Sequence, residues 1–201
     1  MPLIENSSAI LVLWAVIGYG LGSVPYGMVL AQAMGLGNLR EIGSGNIGAT
    51  NVLRTGNKRA ALATLILDAG KGAVAVVLAR MIAGEDAAQL AGLMAILGHC
   101  FPVWLKFRGG KGVATYLGLM LALSWPLGLI ACLSWLVVAL LTRLSSFAAI
   151  SAASFATVWI MFFGPAQMFI LAAILTLLIY LRHYDNIKRL KTGTEPKIGA
   201  Q

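Results

Sequence analysis

GSGNIGATNVLRTGNKR, residues 43–59, is the longest polar run in an otherwise strongly apolar chain. Its first half holds small residues: Gly43, Ser44, Gly45, Asn46, Gly48, Ala49, Thr50 and Asn51. Its second half holds the cations Arg54, Lys58 and Arg59. Small residues expose backbone N–H groups, and glycine reaches positive φ, so such a loop can curl around an anion. The cations can then neutralise that anion. The plainer reading is a glycine-rich connection between two helices. Gly43-Ser-Gly45-Asn-Ile-Gly48 also matches G-x-G-x-x-G, but a dinucleotide fingerprint must follow a strand and open a helix in a βαβ unit. The flanks decide against that. On both sides lie apolar stretches long enough to cross a bilayer.

The 201 residues are 59% hydrophobic and 11% charged, with mean hydropathy +0.86. Soluble domains average about 25% charged residues, so the chain reads as an integral membrane protein. The net charge of +8 does not imply nucleic acid. In a membrane protein, excess Lys and Arg mark the cytoplasmic loops, and no basic stretch here alternates with aromatic residues. Cys100 and Cys132 form no CxxC pair and read as reduced thiols in apolar surroundings. The N-terminal MPLIENSS lacks Lys and Arg, so the first apolar stretch reads as a retained span and not as a signal peptide.

A spanning helix needs about 20 mostly apolar residues. Seven candidates follow, at about 8–34, 60–83, 87–104, 112–125, 127–141, 145–163 and 166–181. Pro25 is expected to kink the first. Several are short enough to suggest a thin or tilted bundle, or parts that do not fully cross. Thirteen of the fifteen Lys and Arg fall in loops 35–59 and 104–112, the turn at 142–145 and the tail after 181. The alternate loops and the N-terminus hold none. The expected fold is therefore an all-α integral membrane protein, a single-domain bundle of seven transmembrane helices. Its N-terminus is outside and its C-terminus cytoplasmic. Of the two remaining cations, Arg80 is expected to snorkel to the headgroups. Lys71 sits three residues after Asp68, and an ion pair or a substrate contact would each explain it. The tail after Leu190 reads as a loosely ordered end.

Four polar clusters fall on one predicted side. One is the opening stretch. The second is Gly98-His99-Cys-Phe-Pro102 running into Lys106-Phe-Arg108-Gly-Gly-Lys111-Gly112, where a Lys between glycines at a helix start suits an anion. The third is Thr142-Arg143-Leu-Ser145-Ser146, in which Ser145 could equally be an N-cap. The fourth is His183-Tyr-Asp-Asn186. A Walker loop, a GxSxG elbow and a metal-ligand cluster are absent, as is any cofactor motif. Histidine–aspartate acyltransferase chemistry is excluded as well, because Trp104 and Lys188 stand five residues after the two histidines.

In this order, Gly22-Ser-Val-Pro-Tyr-Gly27, GSGNIGATNVLRTG, Asp68-x-x-Lys71-Gly72, GHCFPVWLKFRGGKGVAT, Ser145 and His183-x-x-Asn186 resemble the bacterial acyl-phosphate:glycerol-3-phosphate acyltransferase family. The resemblance covers nearly the full length. It implies transfer of a fatty acyl chain from acyl phosphate to the 1-hydroxyl of sn-glycerol 3-phosphate, giving lysophosphatidic acid and phosphate. It also implies a multi-pass enzyme of the bacterial cell (inner) membrane, with no cofactor and no metal, whose active site faces the cytoplasm. By similarity, Ser44, Asn46, Thr50, Asn51 and Arg54 hold substrate phosphate, while Lys111, Ser145, His183 and Asn186 position the substrates. No strong general base is evident; the phosphate of glycerol 3-phosphate and His183 are the two candidates. A transporter of organic phosphate is the main rival. It would place cations or broken helices near the midplane on both sides.

Overall fold

Lipid tails are as apolar as leucine, so helices in a bilayer associate through close packing and hydrogen bonds. This sequence supplies close packing through glycine and alanine at the contact faces. The computed structural model describes residues 2–199, and every regular element in it is a helix. Helix α1 (Ser8–Gly22) ends where Ser23-Val-Pro25 interrupts it, and α2 (Tyr26–Ala33) continues beyond the break. The short α3 (Ala49–Leu53) lies in the polar stretch. The long helices α4 (Lys58–Ala83) and α5 (Glu85–Cys100) follow. Then come α6 (Val113–Leu123), α7 (Trp125–Thr142), α8 (Ser145–Phe163), α9 (Phe169–Arg182) and α10 (Tyr184–Lys191).

Helix α1 packs along α5, α4 bridges to α6, and α7, α8 and α9 follow in sequence. At the α1–α5 contact, a Cβ on Gly22 would lie 1.9 Å from the Ala95 carbonyl oxygen, and one on Gly98 would lie 2.3 Å from that of Tyr19. At the α4–α6 contact, a Cβ on Gly118 would lie 2.0 Å from the Ala69 oxygen. Ala148, Ala152, Ala153 and Ala156 make the buried face of α8. Hydroxyl pairs bind α8 to α9, with Thr157 and Thr176 at 2.8 Å and Ser154 and Tyr180 at 2.9 Å. Larger apolar residues such as Leu62, Ile66, Met81 and Leu140 point outward and stay exposed, as a lipid-facing surface requires.

Among the described residues, five helical segments are long and apolar enough to cross a membrane: Ser8–Ala33, Lys58–Ala83, Glu85–Leu105, Trp125–Thr142 and Ser145–Phe163. The pair Ala166–Arg182 and Tyr184–Lys191 makes a sixth if its 63° bend is counted within one span. Helix α6 has only 11 residues. At 1.5 Å per residue it reaches about 16 Å, short of a hydrocarbon core of about 30 Å. By length and composition, five of the segments are long enough to cross a membrane, or six with the bent pair, and α6 is a shorter apolar helix.

Two sequence-based expectations change. Arg80 does not snorkel freely. Its Nε pairs with Glu85 at 2.8 Å, and its guanidinium donates to the Leu123 carbonyl at 3.1 Å, capping α6. The tail is not a loose end either. The Ile198 N–H donates to the Arg143 carbonyl at 2.7 Å, and the Glu195 side chain, 6% exposed, folds back under the helices.

The glycine contacts are testable. Gly22→Val should destabilise the protein by about 1–3 kcal/mol or more through overpacking, read as a lower unfolding midpoint in detergent. Gly20→Ala has nothing within 4 Å of the added Cβ and should leave that midpoint unchanged.

Candidate active site

The polar stretch folds around one buried side chain. Asn51 is 1% exposed. Its Oδ1 accepts from the Ser44 N–H at 3.1 Å and from the Arg54 guanidinium at 3.1 Å. Its Nδ2 donates to the Leu39 and Asn46 carbonyls at 2.9 and 2.7 Å. Both amide hydrogens are thus committed, so Asn51 shapes the loop and aims Ser44 and Arg54. Gly43 has φ +53°, and a Cβ there would lie 2.5 Å from the Arg54 Cδ. The glycine is what lets the arginine stem lie across the loop.

Three distant segments close on this loop. The Thr50 and Ser145 hydroxyls meet at 3.1 Å. Ser145 is the first residue of α8, and its side chain makes no N-cap bond; Leu144 occupies the cap position. The bend between α9 and α10 turns His183 and Asn186 inward, 2% and 3% exposed. The Lys111 Nζ donates to the Asn186 Oδ1 at 2.6 Å, and the Asn186 Nδ2 donates to the Glu195 Oε1 at 2.5 Å. The Glu195 Oε2 accepts from the Arg189 Nε at 2.8 Å. His183 Nδ1 lies 2.8 Å from the Ile179 carbonyl. A carbonyl can only accept, so in the neutral ring Nδ1 carries the proton and Nε2 keeps its lone pair.

Lys111 is held in its loop from both sides. The Gly110 N–H donates to the His99 carbonyl at 3.0 Å, and the Arg182 Nε donates to the Gly110 carbonyl at 3.1 Å. Burial pushes the Lys111 ammonium down to about 8. Glu195 opposes that shift, and Arg189, Arg182 and Arg54 add to it. Burial lowers Arg54 too. For Glu195, burial disfavours the charge, but hydrogen bonds, those from Asn186 and Arg189 among them, outweigh it and hold the carboxyl below its usual range. The site is a crowd of cations to which Glu195 brings a balancing carboxylate.

All nine residues singled out from the sequence line one cavity of about 460 Å³: Ser44, Asn46, Thr50, Asn51, Arg54, Lys111, Ser145, His183 and Asn186. Sequence reasoning missed Glu195; Ser146, His99 and Asp68, named from the sequence without a role in the site, line the same cavity. The Ser146 hydroxyl is buried beside the cavity without a hydrogen-bond partner. Asp68 forms a 2.7 Å ion pair with Lys71, whose Nζ also donates to the Val24 carbonyl at 2.8 Å, and His99 Nδ1 lies 3.6 Å from the same carboxylate oxygen. The Thr-Glu-Pro run of the tail was the one available signal for Glu195, since a lone carboxylate near so many cations calls for a partner. The rest of the wall is apolar, with Leu62, Leu65, Leu117 and Trp135. Leu62 and Leu65 are 58% and 44% exposed on the outer face of α4, so the apolar wall continues onto the lipid-facing surface. Among the described residues, no group of three His, Cys, Asp or Glu could hold a metal ion.

A helical membrane protein with a cationic cavity that runs into a lipid-facing wall has the form of an integral membrane enzyme for an anionic, partly apolar substrate. Comparison with known proteins identifies which. The family model described as glycerol-3-phosphate acyltransferase matches residues 12–193. A glycerol-3-phosphate acyltransferase of Ruegeria sp. (strain TM1040) is 65% identical over the whole of both chains. That of Cereibacter sphaeroides (strain ATCC 17025 / ATH 2.4.3) is 58% identical over 100% of this chain and 96% of that protein. The crystal structure of PlsY, an integral membrane glycerol 3-phosphate acyltransferase, superposes in its glycerol 3-phosphate form with a TM-score of 0.88. It is 37% identical, with 94% of this chain and 96% of that chain covered. Its lysophosphatidic acid form gives 0.84 at 35% identity, covering 93% and 94%. The chain belongs to the glycerol-3-phosphate acyltransferase family.

Glu195 offers a direct test. Glu195→Ala should cost about 1–3 kcal/mol by leaving Asn186 and Arg189 unpartnered. Because the folded carboxyl is depressed, its contribution is present at neutral pH and is lost as pH falls through the folded value. The parent's unfolding midpoint should therefore approach that of the variant in acid.

Proposed function

We propose that this acyltransferase moves a fatty acyl group from acyl phosphate to the 1-hydroxyl of sn-glycerol 3-phosphate, releasing lysophosphatidic acid and inorganic phosphate. The observation that carries the reading is the cavity itself, with its cations at one end and its apolar wall opening between helices at the other. Both substrates carry phosphate, and one also carries an alkyl chain. The glycerol 3-phosphate and lysophosphatidic acid forms of the superposed enzyme support the acceptor and the product.

In this reading Arg54, Ser44, Asn46 and Thr50 hold phosphate, and Asn51 keeps that set in place. Lys111, Ser145, His183 and Asn186 position the glycerol hydroxyl against the carbonyl. Acyl phosphate is already activated, so holding the two groups in contact supplies much of the rate. Hydrogen-bond donors stabilise the oxyanion. The hydroxyl proton passes to the phosphate of glycerol 3-phosphate or to the Nε2 lone pair of His183. We further propose a seven-pass topology with the N-terminus outside and the cavity open to the cytoplasm, in a bacterial inner membrane. The distribution of Lys and Arg supports it, and α6 is then a crossing in locally thinned bilayer. A transporter is disfavoured because the intramembrane Asp68 and Lys71 are committed to each other.

Purified protein in detergent, given palmitoyl phosphate and labelled glycerol 3-phosphate, should form lysophosphatidic acid. Product formed with acyl-CoA or acyl carrier protein, but not with acyl phosphate, would overturn the donor assignment. Arg54→Ala should lower kcat/KM by about 10²-fold or more with the protein still folded. In the same assay His183→Gln separates the two proton acceptors, since a small loss in kcat excludes His183 as the base.

Lys111 is cationic below about 8 and neutral above it in the free protein. The kcat/KM for glycerol 3-phosphate should therefore fall as pH rises through that value. Lys111→Arg should move the fall to higher pH, and an unmoved alkaline limb would show that another group titrates.

A further inference from the structure

A second cavity of about 310 Å³ adjoins the first and shares Ser44, Asn46 and Lys111 with it. Its character is opposite. The first cavity is walled by leucines and a tryptophan, whereas this one is lined by Arg40, Arg182 and Asp185 besides the shared residues. Arg40 donates to the Gly45 carbonyl at 3.3 Å and to the Arg108 carbonyl. Arg182 donates to the Gly109 and Gly110 carbonyls and lies over the Phe101 ring at 5.0 Å. Among the described residues, neither arginine nor Lys111 has a carboxylate within ion-pair distance. Three cations thus face one polar cavity, and the carboxylate in its lining, Asp185, pairs with none of them. Their mutual repulsion has been kept in the fold, and an anion would relieve it.

The geometry points to this second cavity as the site through which inorganic phosphate leaves. The inference rests on acyl phosphate being the donor. In that reaction the glycerol hydroxyl oxygen bonds to the acyl carbon, and the bond from that carbon to the bridging phosphate oxygen breaks. The bonding pair stays on the phosphate oxygen, and the hydroxyl proton ends on phosphate, so one ester and one hydrogen phosphate dianion result. The ester keeps its alkyl chain and leaves along the apolar wall toward lipid. The phosphate dianion cannot follow, because an unpaired charge in an apolar passage is prohibitively costly. Lys111 borders both cavities and can hand the dianion across the shared wall of Ser44 and Asn46 to Arg40 and Arg182, which face the water-accessible loops. Arg182 also secures the Lys111 loop, so Arg40 is the informative residue.

The test is product inhibition by inorganic phosphate, measured on lysophosphatidic acid formation from palmitoyl phosphate. Arg40→Gln should raise the inhibition constant about tenfold, as expected for one charge-assisted contact, with the KM for glycerol 3-phosphate changed less than about twofold. Arg40→Lys should retain most of the inhibition. An unchanged inhibition constant in Arg40→Gln overturns the inference. So does a rise confined to the KM for glycerol 3-phosphate, which would make the cavity an entrance for that substrate. Equal damage in Arg40→Lys and Arg40→Gln would also overturn it, since Arg40 would then only brace the Gly45 and Arg108 carbonyls. If Arg40→Gln does not fold, Asp185→Asn decides: a lower inhibition constant supports the site, and an unchanged one overturns it. Failure of the donor assignment is separately visible. The parent would then release no phosphate from acyl phosphate in step with lysophosphatidic acid, and the inference would fall with it.

Discussion

Backbone approach between helices is the constraint on which this structure depends. With no water to expel between them, membrane helices adhere only as closely as their side chains permit. Gly22, Gly98 and Gly118 remove the side chain where a neighbouring carbonyl oxygen stands 1.9, 2.3 and 2.0 Å from the missing Cβ, far inside van der Waals contact. The consequence reaches the site. Helix α5, held against α1, carries His99 at its end, and the His99 carbonyl anchors Gly110. Gly110 in turn leaves room for the His99 ring, whose Nε2 would lie 2.2 Å from an added Cβ. Lys111 is therefore positioned by a chain of contacts that begins with glycine packing in the membrane.

The second organising force is charge. Burial depresses the Lys111 ammonium, Arg189, Arg182 and Arg54 are near enough to add to the shift, and Glu195 opposes it. A single internal carboxylate leaves the group net positive, so the fold itself maintains an anion-seeking site. Asn186 transmits this balance, accepting from Lys111 and donating to Glu195. The amide thereby couples the α9–α10 bend, the glycine loop and the C-terminal tail. Tail and site form one hydrogen-bonded unit.

The two cavities divide the chemistry by polarity. One runs from cations to exposed leucines on α4, and the other from the same Lys111 to arginines in the loops. For a reaction proposed to convert two phosphates and one alkyl chain into a lipid and a free anion, this division separates the products by solubility. No moving part is needed for that separation.

Much of this was legible in residue order. Hydropathy and the gathering of Lys and Arg in alternate loops mark an all-helical membrane protein, and the polar motifs between spans mark nine residues that prove to share one cavity. Those signals are local, because hydropathy, charge and glycine content act over a few residues. What the sequence left open depended on distance. Asn51 reads as a phosphate ligand, and only the fold shows both its amide hydrogens committed to loop carbonyls. Ser145 reads equally as a cap or as a site residue, and only the fold shows its hydroxyl meeting Thr50 from 95 residues away. Arg80 reads as a snorkelling cation, yet it caps a neighbouring helix. Glu195 lies in a polar tail with no periodicity, and its Thr-Glu-Pro setting does not say which cations it will meet. By itself the sequence determined which segments are apolar enough for lipid and which polar stretches gather at one site, because those properties belong to short stretches. Only the tertiary structure decided which donors stay free, which are used internally and where the balancing carboxylate lies, because hydrogen bonds are allotted by proximity in space.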